Sequence, residues 1–173
     1  MEPDWPDAID AQFWFLITQG DHAFYHATLD EAFGHLKAAE AVAQRLLKAE
    51  PDVPRSQRDL SASYSKIGDV QSAQGDLPAA LSSYKEDLQI AQKLAARDPG
   101  NAQWQTDLVI SFWKLAVVLE QQGTPQKREA GAKYQRALEI LRPLAVENRL
   151  TAEQKTWIAR IEARLKAITE NSQ

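Results

Sequence analysis

An internal repeat is the feature that most constrains how this chain of 173 residues folds. When residues 51–76 are aligned with residues 99–124, nine of the 26 positions are identical at an offset of 48, far more than unrelated segments share. After Gly123 a two-residue insertion shifts the offset to 50, and the match resumes. Self-similarity at such a period is the signature of a repeat architecture. Matched pairs include Pro51/Pro99, Leu60/Leu108, Gly75/Gly123, Tyr84/Tyr134 and Leu88/Leu138.

Each copy of the repeat reads as two amphipathic helices joined by a short turn. Apolar side chains recur at helical spacing before and after Gly75, and the pattern returns around Gly123. Glycine favours the left-handed position that ends a helix, and Pro78 suits the first turn of the next helix. Pro143 lies inside the second helix of the second copy and is expected to kink it or loosen its last turn.

A weaker unit precedes these two copies. Gln19-Gly20-Asp21 is similar to Gln74-Gly75-Asp76 and predicts a turn, so residues 20–28 are expected to form a connection. Thr28 and Glu31 have the spacing of a capping box, which predicts the start of the next helix.

A final helix follows the second copy, because Thr151 and Gln154 form another capping box. The sequence therefore predicts an all-α, antiparallel helix-pair solenoid in a single domain over residues 1–173. Its expected parts are helix pairs over about 7–49, 54–97 and 101–147 and a capping helix over 151–170.

The order of large and small residues in each unit resembles the tetratricopeptide repeat. That pattern appears as Ile67-Gly68, Gly75, Ala80, Tyr84 and Leu88, and again as Leu115-Ala116, Gly123, Ala130, Tyr134 and Leu138. The period exceeds the family's usual length of about 34 residues and is similar to the long-helix variety of bacterial repeat proteins. The resemblance implies a non-enzymatic module that holds a peptide or a partner helix in a concave groove lined by the first helices.

Composition and charge exclude several other classes. The chain has no cysteine, so disulfides, thiol catalysis and cysteine-ligated zinc are excluded. No apolar run is longer than the five residues of 13–17, which is too short to span a bilayer, and no signal peptide opens the chain, which favours a cytoplasmic protein. The net charge is −4, and basic and acidic residues alternate, so neither a nucleic acid nor a membrane is an expected partner.

Two patterns resemble chemical sites and are interpreted as structural. Ser63 and Lys66 have the spacing of a serine nucleophile with a lysine base, but Ser111 and Lys114 repeat it at the repeat offset, as duplication would. His22 and His26 have Asp21 and Asp30 nearby but fall in the expected connection, where a third and fourth metal ligand would not be held on a fixed scaffold. No catalytic residue, metal or cofactor is expected. An α-helical enzyme without a recognisable motif remains the competing class.

One first helix carries an apolar stripe that the repeat fold does not require. Ile110, Trp113 and Val117 form this stripe, whereas the preceding unit has Ala62, Ser65 and Asp69 at the equivalent positions. Lys66 and Lys114 lie beside these positions and can receive an acidic group. The predicted partner-binding residues are Ser65, Lys66, Asp69, Ile110, Trp113, Lys114 and Val117. The alternative is that Trp113 packs against the capping helix or a neighbouring second helix.

The first helix is apolar around its whole circumference at residues 13–17. An outer helix cannot bury every side, so part of this surface is expected to be covered by the 20–28 connection, by a second copy or by another domain. The residues expected at this homodimer contact are Phe13, Trp14, Phe15 and Ile17. A regulatory segment of a larger signalling protein is the other function left open.

Overall fold

The computed structural model describes residues 6–170, with side chains for 8–123 and 126–170. Within these residues the chain forms seven helices and no strand, which confirms the all-α prediction of three helix pairs and a last helix. The helices are α1 (Pro6–Tyr25), α2 (Leu29–Ala49), α3 (Pro54–Ala73), α4 (Leu77–Arg97), α5 (Ala102–Gln121), α6 (Thr124–Val146) and α7 (Ala152–Glu170).

Two compact units, residues 1–90 and 91–173, divide the chain, and the boundary falls within α4. In the N-terminal unit, α2 packs against both α1 and α3 around a continuous apolar core. In the C-terminal unit, α6 packs against both α5 and α7. Each unit therefore has its own interior, lined by the apolar stripes that the helical spacing predicts. That the whole chain is one domain stays a prediction.

The first helix pair, α1 and α2, is related to the second, α3 and α4, by an offset of 48 residues. This offset shows that the turn predicted at Gly20 is wrong. Helix α1 continues through Gly20 to Tyr25, so most of the expected connection is helical. A Cβ added to Gly20 would lie 2.6 Å from a methyl carbon of Leu36. Gly20 is thus a contact glycine on the packed face of a helix, like Gly68, 48 residues later, against Tyr84.

The true turn after α1 lies at Ala27, which adopts a left-handed backbone conformation with φ of 59°. Gly75 and Gly123, each 48 residues further along, have φ values of 83° and 107°, as predicted for these two turn glycines. The three turns are therefore equivalent, and only the first lacks the glycine that this conformation favours. The turn was not recognised in the sequence because an alanine occupies it.

Replacing Ala27 by glycine is expected to raise the free energy of unfolding by about 0.5–1 kcal/mol. An L-residue with a Cβ is strained in the left-handed region, and removing the Cβ relieves more free energy than the added entropy of the unfolded chain costs. Urea unfolding followed by circular dichroism measures the change. Ala38→Gly, at an exposed helical position of α2, is the control and should destabilise by about 1 kcal/mol. A loss of stability in both variants would contradict the strain at residue 27.

The two predicted capping boxes differ in outcome. At α7 the box forms: the backbone N–H of Gln154 donates to Thr151 Oγ1 at 3.2 Å, and the backbone N–H of Thr151 donates to Gln154 Oε1 at 2.9 Å. At α2 it does not form, because the Thr28 hydroxyl donates instead to the carbonyl of Ala23 at 3.0 Å. Helix α2 still begins at the next residue, so the boundary is set by the turn at Ala27 rather than by a side-chain cap.

Equivalent positions inside the three helix pairs hold different residues. Phe13 and Ala39 are buried in the first pair, and Val109 and Ala137 are buried at the same positions of the third. The second pair has Ser61 and Asp87 there, both buried, with the Ser61 hydroxyl donating to the Asp87 carboxylate. The middle pair therefore joins its helices through a polar contact where the other pairs have apolar ones. 

Candidate protein-binding site

An open apolar pocket lies in the C-terminal unit between α5 and α7. Both helices pack against α6, and the space left between them has a volume of about 190 Å³. Five of its six lining residues are apolar or aromatic, and the sixth is an arginine. The lining residues are Val109, Ile110 and Trp113 from α5 and Trp157, Arg160 and Ile161 from α7. We call this the α5–α7 pocket.

The repeat register explains how these helices come to form a pocket. Helix α7 begins 50 residues after α5, so it occupies the place of a further first helix. Its lining residues lie three and four positions apart and therefore share one side of the helix, as those of α5 do. Ile161 is buried, whereas Trp113 and Trp157 are half-buried and keep part of their rings accessible.

Trp113 takes part in both arrangements considered from the sequence. Its ring meets that of Tyr134 on α6 edge to face, with centroids 5.4 Å apart, and it also lines the pocket. Ile110 lines the pocket as well, whereas Val117 and Lys114 are half-buried and are not among the lining residues. The part that each residue takes in partner binding stays a prediction.

The predicted partner-binding residues of the N-terminal unit have contacts within that unit. Lys66 Nζ lies 2.6 Å from Asp21 Oδ1 on α1, so an acidic group already meets this lysine. Asp69 accepts a hydrogen bond of 2.7 Å from the Tyr84 hydroxyl. Ser65 is half-buried. These three residues do not lie in the α5–α7 pocket.

Two buried tyrosine hydroxyl groups have similar electrostatic surroundings. Burial, together with the carboxylate of Asp69, raises the pKa of the Tyr84 hydroxyl above its usual range. Burial, together with the carboxylate of Glu120, does the same to the pKa of the Tyr134 hydroxyl. Both phenols therefore remain neutral and act as packing groups with a polar end.

Sequence reasoning missed the contribution of α7 to the pocket. It predicted a capping helix over residues 151–170 and singled out none of the side chains of that helix for partner binding. Arg160 is exposed, and no described residue forms an ion pair or hydrogen bond with its guanidinium group. The available signal was the 50-residue step from α5 to α7, which predicts that two first helices lie side by side.

The apolar segment of α1 is divided between the core and the surface. Phe13 and Ile17 are buried within the N-terminal unit, so they cannot form the predicted contact with a second copy. Trp14 and Phe15 are exposed by 45% and 62%, and Tyr25 near the end of α1 by 85%. The surface that remains for such a contact is therefore aromatic and lies on one part of α1.

The two patterns that resembled chemical sites have structural contacts. Ser63 is fully buried, and its hydroxyl donates to the Asp59 carbonyl at 3.0 Å, while Ser111 donates to the Asp107 carbonyl at 3.1 Å. The rings of His22 and His26 meet edge to face with centroids 4.4 Å apart. Among the described residues, no group of three or more histidine, aspartate or glutamate side chains is placed to hold a metal ion. 

None of the described helices is long and apolar enough to cross a membrane. The arrangement of the helices defines the class of protein as an all-α helical repeat. Comparison with solved structures agrees with this class, whereas no protein-family model and no curated protein matches the sequence.

Two solved structures illustrate the likeness. The yeast histone chaperone Hif1, a scaffold protein recruiting protein complexes to core histones, superposes with a TM-score of 0.61 at 16% identity, covering 84% of this chain and 57% of that chain. The chain therefore corresponds to little more than half of Hif1. The de novo designed helical repeat protein DHR64 superposes with a TM-score of 0.50 at 15% identity, covering 96% of this chain and 97% of that chain. At these identities the comparisons establish the fold alone.

Proposed function

We propose that the protein is a non-enzymatic, protein-binding repeat module of the tetratricopeptide type, and that the α5–α7 pocket is its recognition site. The observation that carries this proposal is the pair of half-buried tryptophans, Trp113 and Trp157, on facing walls of an open apolar pocket. Tryptophan and arginine are the residues most enriched where protein interfaces gain their binding energy. A cytoplasmic location stays a prediction.

The pocket suits one bulky apolar side chain of a partner. Its volume of about 190 Å³ is comparable with that of a large aliphatic or aromatic side chain, and its walls offer apolar and aromatic surface to such a group. Arg160 at the rim adds a guanidinium group that can bind a neighbouring carboxylate. The expected ligand is therefore a protein segment that places an aspartate or glutamate close to a large apolar residue.

Selection from a random peptide library tests this function. Peptides that bind the purified protein are expected to share a large apolar residue with an adjacent acidic residue. Trp157→Ala should weaken their binding at least tenfold in isothermal titration calorimetry, because it removes one wall of the pocket. Trp104→Ala is the matched control, since Trp104 is also half-buried but lies outside the pocket, and it should change binding less than twofold.

Charge reversals on α7 test the role of the Arg160 guanidinium group separately. Arg160→Glu is expected to weaken binding of the acidic peptides at least tenfold, whereas Lys166→Glu, outside the pocket on α7, should leave it nearly unchanged. If no peptide is selected, or if the selected peptides bind the Trp157→Ala and Trp104→Ala variants equally well, the pocket is not the recognition site.

A further inference from the structure

The α5–α7 pocket requires an occupant that combines aromatic or aliphatic surface with negative charge. Its walls are apolar, and its rim carries Arg160, for which no described residue supplies a counter-ion. The surrounding unit, residues 91–173, has 13 basic and 9 acidic side chains and thus a net charge of +4. An acidic surface with exposed aromatic groups would satisfy both requirements.

The chain itself carries a surface of this kind on its first helix. Trp14, Phe15 and Tyr25 are exposed by 45%, 62% and 85%, and their positions fall within about 100° of one another around α1. We call these three residues the α1 aromatic face. The N-terminal unit, residues 1–90, has 7 basic and 15 acidic side chains, a net charge of −8. Large exposed aromatic surfaces of this kind mark interaction sites.

We propose that the α1 aromatic face of one copy docks in the α5–α7 pocket of a second copy. This inference rests on the proposed function of the pocket as a protein-binding site. Contact between two α1 faces would bring together two units of charge −8, and contact between two pockets would bring together two units of charge +4. The pairing of the face with the pocket is the one that joins opposite charges.

Contact between two different surfaces is heterologous, which has a consequence for assembly. After the first contact one copy keeps a free pocket and the other keeps a free α1 face, so association continues until a ring closes or a linear chain forms. Sedimentation equilibrium should show association of the parent protein that increases with concentration. It should weaken several-fold when the salt concentration rises from about 0.05 M to about 0.5 M, because salt screens the attraction.

Two variants each disrupt one of the two surfaces and leave the other intact. Phe15→Ala/Tyr25→Ala removes the two most exposed rings of the α1 face, and Trp157→Ala opens one wall of the pocket. Each variant alone should associate at least tenfold more weakly than the parent. Val146→Ala, which truncates an exposed apolar side chain outside both surfaces, is the control and should associate as the parent does.

A mixture of the two variants provides the decisive measurement. One variant keeps its pocket and the other keeps its α1 face, so the mixture can form one intact contact and should yield a 1:1 dimer that does not grow further. A parent protein that stays monomeric at about 1 mM would overturn the inference, and so would a mixture that fails to associate.

The peptide experiment distinguishes a failure of the self-association proposal from a failure of the proposed function. If the parent is monomeric but Trp157→Ala abolishes the binding of selected peptides, the pocket recognises another protein and only the self-association is wrong. If the parent is monomeric and no peptide binds, both proposals fail.

Discussion

Replacing Gly68 by alanine is expected to lower the free energy of unfolding by about 2–3 kcal/mol. A Cβ at this position would lie 2.6 Å from Cε1 of the Tyr84 ring, and a rigid aromatic ring cannot yield as a flexible side-chain end can. The ring must move, which disturbs the packing and the hydrogen bond from the Tyr84 hydroxyl to Asp69. Overpacking of this kind costs up to about 3 kcal/mol, and the lost hydrogen bond adds about 1 kcal/mol. The higher helix propensity of alanine offsets about 1 kcal/mol.

Gly34→Ala makes the same chemical change in a helix where space is open. Apart from its chain neighbours and the backbone of its own helix, nothing lies within 4 Å of a Cβ added at Gly34, so this variant should gain about 1 kcal/mol from helix propensity alone. Thermal and urea unfolding of the two variants measure changes of opposite sign. Equal stabilisation of both would show that the approach of Tyr84 to Gly68 is not a close contact in solution.

The second large effect is a dependence of stability on pH that arises from Asp59. This side chain is buried, and no described residue donates a hydrogen bond to its Oδ2 atom. Burial raises the pKa of Asp59 from its ordinary value of 3.8 to about 6, against the opposing effect of the Arg55 guanidinium group. Because the folded chain then holds the proton more tightly than the unfolded chain, the free energy of unfolding falls as the pH rises from about 4 to about 6.

The Asp59→Asn variant isolates this contribution, since asparagine carries no charge at either pH. Relative to the parent, the variant should become more stable by about 3 kcal/mol between about pH 3 and about pH 8, which is the free energy that corresponds to the change in pKa from 3.8 to about 6. Urea unfolding at a series of pH values gives the difference. Parallel pH profiles for parent and variant would mean that Asp59 does not retain its proton on folding.

The fold was largely predictable because its determinants are local and are repeated. Helical spacing and the turn glycines recur at the repeat offset, so each copy supports the interpretation of the other. The first helix pair was harder to align with the other two because Gly20 resembles a turn glycine, although it is a contact glycine under Leu36. The backbone conformation that identifies the turn is at Ala27, a residue type that gives no such signal.

The candidate site was only partly predictable because it depends on which helices lie side by side. Ile110 and Trp113 were identified from a stripe that the repeat does not require, and both line the pocket. Their counterparts on α7 were missed because that helix was interpreted as a cap, although its 50-residue step from α5 gives it the place of a further first helix. Conversely, Phe13 and Ile17 were expected at a surface because the segment is apolar on all sides, but helical spacing alone does not tell which sides a neighbour covers.

The buried contact between Ser61 and Asp87 bears on how a duplicated sequence avoids mistakes while it folds. Hairpins with similar sequences can exchange helices, so that a helix of one copy packs against a helix of the other copy. If α5 took the place of α3 beside α4, Val109 would replace Ser61 opposite Asp87, and the buried Asp87 side chain would lose the hydroxyl that donates to it, which costs about 1–3 kcal/mol. The exchange of two apolar positions for one serine and one aspartate thus gives the middle hairpin an identity of its own, and errors of pairing become energetically distinguishable from the native chain order.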